Sequence, residues 1–206
     1  MKTKNLSTII FYGAVWGILE ATIGYVLHLI PGLSLYVSGS IMFGFATLVL
    51  HKAYQQTKSR KSLVFIAEIA AAVKAINFLM PNWSVFKVIN PMLSIVMESL
   101  ALIIVISFVE KDSLWSKISA LLVASLAWRL VFFAYMGVDY LAGTTQYIEF
   151  FGIYMIASAV LALGFIYLDQ FFMNRFKNVS LSPIHPALAW GSLAIAIILT
   201  RLSMIL

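Results

Sequence analysis

Apolar residues occupy this chain in long blocks separated by short polar clusters, and the blocks have the length of bilayer spans. A helix needs about 20 residues to cross the hydrocarbon core. Stretches of that size recur at 6–30, 38–55, 62–80, 91–109, 114–136, 147–171 and 187–206. The pattern predicts an all-α, polytopic membrane helix bundle of about seven transmembrane helices, a six-helix core plus a C-terminal helix, in one integral domain covering 1–206. No convincing internal repeat interrupts it. The first block ends in Leu29-Ile30-Pro31-Gly32 without a small-residue cleavage site, so it reads as a retained span.

The polar clusters alternate in charge. Lys2 and Lys4 precede the first span, His51, Lys52, Lys58, Arg60 and Lys61 join the second to the third, Lys111 and Lys117 the fourth to the fifth, and Arg175 and Lys177 the sixth to the seventh. The other loops, 31–37, 81–90 and 137–146, hold one basic residue, Lys87. By the positive-inside rule the N-terminus is cytoplasmic and the C-terminus outside, in a cell membrane expected to be prokaryotic. On the outer side, Pro31-Gly32 stops the first helix and Ser38 or Ser40 is placed to cap the second. Asn90-Pro91 reads as N-cap and first residue of the fourth. Between them, Trp83 and Lys87 suit a short interfacial segment over 81–89.

Composition narrows the function. Of 206 residues, 62% are hydrophobic and 11% charged, with mean hydropathy +0.98, which leaves no room for a soluble catalytic domain. The net charge of +6 follows from topology and points to lipid rather than nucleic acid. With no cysteine there is neither a disulfide nor a thiolate metal site. No glycine-rich loop leads into a lysine, so any use of ATP must come from a partner. His28 is separated from His51 and His185 by the thickness of the membrane, and a pairing of the latter two at the cytoplasmic surface reads as incidental. The membrane-embedded lysine, Lys74, falls in the third span, not the last, which argues against a retinal protein. No HExxH or GxSxG signature occurs, and neither a cofactor nor an enzymatic activity is expected.

Five ionisable residues lie well inside spans: Glu20, Glu68, Lys74, Glu98 and Arg129. Counting depth along alternating helices puts Glu20, Lys74 and Arg129 beyond the midplane on the outer side and Glu98 near the middle. Asn77 follows Lys74 on nearly the same face, Asn90 and Ser94 share a strip with Glu98, and His28 closes the first helix on the outer side. Charges in a bilayer face protein, water or ligand, because exposure to lipid costs several kcal/mol. Two arrangements satisfy that requirement. In one, Glu20 pairs with Arg129 and Glu98 with Lys74 as structural ion pairs. In the other, Glu20, His28, Lys74, Asn77, Asn90, Glu98 and Arg129 line an outward-opening substrate site, with the helix start at Asn90-Pro91 adding its positive end for an anion. Glu68, nearer the cytoplasm among alanines, reads as a polar contact to a neighbouring helix. Asp169 reads as solvated or paired with Arg175.

Gly13, Gly17 and Ala21 recur every four residues on the first helix, a small-residue strip that permits close helix approach. With the polar outer half and the short cytoplasmic N-terminus, the chain resembles the substrate-binding S component of energy-coupling factor vitamin transporters. That resemblance implies capture of a micronutrient from outside and docking on a transmembrane coupling subunit driven by ATPase subunits. The docking strip would be Gly13, Gly17 and Ala21, with glycine in place of alanine at two positions of an AxxxA-like pattern. The seventh span departs from the six helices of that family, and no vitamin-specific residues are carried over. The alternatives are a proton- or ion-coupled transporter using Glu20 and Glu98, a membrane enzyme with carboxylate acid–base chemistry, or a structural subunit.

Overall fold

The computed structural model describes residues 3–30, 37–79, 85–140, 145–175 and 184–203. Among them the chain is helical throughout, in seven rods. The first is continuous: α1 (Thr3–Leu19), a π-helical turn (Glu20–Gly24) and α2 (Tyr25–Leu29). Then come α3 (Ser38–Thr57) and α4 (Arg60–Ala75), the latter prolonged by a 3-10 turn (Ile76–Leu79). The remaining rods are α5 (Val85–Val109), α6 (Leu114–Tyr140), α7 (Thr145–Arg175) and α8 (Pro186–Leu202). Five rods are long and apolar enough to cross a membrane.

The second rod, α3, is not among the five, and its position explains why. Six rods close a ring in the order α1, α4, α5, α6, α7, α3, and α3 also touches α4 and α5. Eleven of its residues are buried, including Ser38, Ser40, Thr47 and His51. A helix wrapped by protein needs no lipid-compatible surface, so its polar side chains meet other helices instead. Lys58 ends it in the left-handed conformation at φ 48°, its N–H on the Tyr54 carbonyl, and Ser59 caps α4 by accepting from Ser62 N.

Local start signals were read differently from the sequence. The helix expected to begin at Asn90-Pro91 already runs from Val85, with Pro91 inside it. Asn90 Oδ1 therefore caps nothing and accepts from the Tyr135 hydroxyl at 3.2 Å, and the anion-binding helix start is not formed. Val37, not Ser38 or Ser40, holds the N-cap position of α3 and makes no side-chain cap. The segment 81–84 and the loop tips 31–36 and 141–144 lie outside the described residues, as does the side chain of Lys87.

The strip Gly13, Gly17, Ala21 is not a free docking face. A Cβ at Gly13 would stand 2.7 Å from Ile69 Cβ and 3.1 Å from the Ile66 carbonyl oxygen, and one at Gly17 3.0 Å from Val73 Cγ1. Ala21 is buried. The glycines let α1 and α4 lie side by side in the same direction, so the close approach serves internal packing. The last helix, α8, belongs to the bundle: it packs on α1, the π-helical turn and the 3-10 turn, burying Ala189, Ala196 and Thr200. Gly191, by contrast, faces open space. Gly13→Ala is expected to destabilise the chain by about 1–3 kcal/mol through overpacking, whereas Gly191→Ala stabilises it by up to about 1 kcal/mol through helix propensity. Paired thermal melts in one detergent check both signs.

Candidate functional site

Glu20 opens the π-helical turn, a departure from regular helix that often marks functional positions. The wider turn and the missing side chain at Gly24 give its carboxylate room. A Cβ at Gly24 would lie 3.2 Å from Glu20 Oε2, and Thr22 Oγ1 turns back to the Ile18 carbonyl at 2.7 Å. The electrostatic neighbour of Glu20 is Lys74, at the end of α4. Glu98, on α5 and 1% exposed, feels both Glu20 and Arg129. The pairing Glu20–Arg129 and Glu98–Lys74 is therefore replaced by a row in which Lys74 and Arg129 flank two carboxylates. The row sums to zero if all four are ionised.

None of these four is closed into an ion pair by its neighbour; among the described residues the short ion pairs lie at the opposite, basic end. Arg129 instead donates from one Nη2 to Ser40 Oγ at 2.7 Å and Ser158 Oγ at 2.6 Å. The two serines meet each other at 3.0 Å, and Ser158 also donates to the Tyr154 carbonyl at 2.8 Å. The guanidinium lies 4.7 Å from the Trp128 ring centroid and 5.5 Å from that of Tyr154, within cation–π range. Phe43 stacks on Trp128. This cradle fixes one face of Arg129 and leaves Nε without a partner.

Unpaired polar atoms recur along the same end of the ring. Glu98 Oε1 accepts from Ser94 at 2.9 Å, but Oε2 has no partner. Asn77, fully buried in the 3-10 turn, pairs neither its amide nitrogen nor its oxygen. Trp128 Nε1 is likewise unpaired, whereas Trp16, one turn before Glu20, turns its indole N–H towards the Glu20 carboxylate. Each such group left dry costs about 1–3 kcal/mol. These atoms come from the 3-10 turn, α5 and α6, elements that follow one another round the bundle. They place donors and acceptors without partners in an otherwise apolar interior, and a few polar groups among apolar walls are what a polar-solute site is built from. The side chain of His28 lies outside the described residues.

Sequence reasoning missed Ser40, Ser158 and Tyr154. Ser158 could have been found, since it sits in an apolar helix adjoining that of Arg129; Ser40, taken for a cap, could not. It also missed the order at the basic end. Glu110 lies 2.9 Å from His51 Nε2 and 2.7 Å from Lys58 Nζ, and Asp169 pairs with Lys52 at 2.7 Å, while the side chain of Arg175 lies outside the described residues. His51 and His185 do not form a pair: His185 caps α8 by accepting from Ala187 N. Glu68 is exposed and contacts no neighbouring polar group among the described residues, contrary to its expected role.

If Glu98 and Arg129 interact as the arrangement implies, a double-mutant cycle of Glu98→Gln and Arg129→Met gives a coupling of about 0.5 kcal/mol or more in stability. Strictly additive losses would show that the two charges do not sense each other. Compared with known proteins, the chain matches no protein family, no curated protein and no solved structure.

Proposed function

We propose that the chain binds a small zwitterionic or charged organic solute inside the membrane, for uptake. The observation that carries this reading is the set of unpaired polar atoms on Asn77, Glu98, Trp128 and Arg129, in a bundle interior that also holds Glu20 and Lys74. A carboxylate or phosphate of the solute would meet Arg129 or Lys74, and an ammonium would meet Glu20 or Glu98. The aromatic rings of Trp128 and Phe43 supply apolar contact. The positive-inside orientation would turn the end of the bundle that holds these groups outward. Energy would come from ATPase subunits through a transmembrane coupling subunit, as the resemblance to the energy-coupling factor S components implies.

A second reading rests on one feature, the electrostatic influence of Glu20 on the buried Glu98. Two carboxylates near each other in a low-dielectric site favour sharing a proton. That is the arrangement of a proton-coupled carrier.

Native mass spectrometry of the gently purified chain, followed by a thermal-shift screen of amino acids, vitamins and their precursors, separates the two. A ligand at a hundred times its dissociation constant adds about 2.7 kcal/mol of stability. We expect one zwitterion or organic anion to stabilise the chain and to lose that effect in Arg129→Met and Asn77→Ala, with no uptake into liposomes by the chain alone. Uptake by the chain alone, abolished in Glu20→Gln and dependent on a pH gradient, would replace this reading with the carrier.

A further inference from the structure

Glu68 is the membrane-depth charge that the solute site does not use. It stands eight residues after Arg60, about 12 Å along the helix axis, within a span that runs from Arg60 to Leu79. Its side chain is exposed, on the outer surface of the bundle, where lipid would otherwise lie. It lines a groove of about 320 Å³ between α1 and α4 with Leu6, Ile9, Phe65, Ile69 and Ala72. Every other lining residue is apolar, and no described residue gives Glu68 a hydrogen bond or ion pair.

A carboxylate at that depth in hydrocarbon must be either protonated or met by a cation, because an unpaired charge there costs several kcal/mol. By sequence position Lys2, Lys4, Lys87, Arg175 and Lys177 fall at the ends of the apolar blocks, and no described cation is both free and near mid-membrane for a second copy to offer. Among the described residues, exposed Lys58, Arg60, Lys61 and Lys111 stand at helix ends, and Arg201 lies in the last turn of α8. Lys52 is paired with Asp169, Lys117 is buried, and Lys74 and Arg129 belong to the interior row. We propose that the α1–α4 groove seats a transmembrane helix of a different polypeptide, one carrying a lysine or arginine near mid-membrane that pairs with Glu68. The apolar walls supply the packing surface, and the groove accepts the long basic side chain. This inference stands independently of the solute reading.

The absence of cysteine allows a single label site, such as Asp112→Cys in the exposed turn after α5. The full chain so labelled is placed in lipid nanodiscs with an acceptor-labelled leucine-based peptide of about 20 residues, carrying either a central lysine or leucine only. Energy transfer is expected to show at least tenfold tighter association of the lysine peptide. Glu68→Gln should remove that preference. Ala72→Trp, which fills the groove and keeps the carboxylate, should remove it too, and covers the case in which Glu68→Gln does not fold. Equal association of the two peptides, a lysine preference that survives in either variant, or self-association of the chain through Glu68 in place of peptide binding would overturn the proposal.

Discussion

A charge in hydrocarbon has to be given a partner, and the arrangement of this bundle follows from how each ionisable side chain obtains one. Basic loop residues stay at the surface of one end, where Glu110 and Asp169 gather His51, Lys58 and Lys52 into short contacts that tie α3 to the end of α5 and to α7. Farther in, water is scarce and partners must be built from helices. Arg129 obtains two hydroxyls and two rings, and Glu98 obtains one serine. Asn77, Glu98 Oε2, Trp128 Nε1 and Arg129 Nε remain unpaired on the 3-10 turn, α5 and α6, with His51 Nδ1 and Thr200 Oγ1 unpaired elsewhere.

The same constraint sets the helix order. α3 is the rod with the most to hide, so it is held against four neighbours, while α5, α6 and α7 leave large apolar residues such as Ile104, Val123 and Phe171 exposed to lipid. Close approach is reserved for the interior. Gly13 and Gly17 lie against Ile69 and Val73, and Gly44 against Phe165, so small residues here draw rods of one chain together. A helix carrying a deep glutamate can then reach the ring interior with Glu20, whereas the glutamate on the outer face of α4 is left facing outward.

Seven apolar blocks were legible because bilayer thickness and helix rise fix their length, and the observed rods follow them closely. That Glu20, Lys74, Glu98 and Arg129 fall within helices was legible too, because it needs only their position along the apolar blocks. Which charge neighbours which was not. Side chains on separate helices meet according to rotation about each axis and the order of the ring, and the π-helical turn at Glu20 shifts that rotation within the first rod. Asn90-Pro91 misled for a related reason: proline permits a helix start without requiring one, and Tyr135, 45 residues away, decides what Asn90 does.

Sequence alone determined that this chain is a helical membrane protein with ionisable groups inside its apolar helices, since hydrophobic length and residue position are properties of one chain segment at a time. The tertiary structure decided that the glycine strip is internal, that Lys74 accompanies Glu20 and Arg129 accompanies Glu98, that α8 packs on α1, and that Glu68 faces out. Each of these depends on the azimuth of a helix against its neighbours, and an apolar surface on every side gives a single membrane helix no amphipathic stripe from which that azimuth could be read.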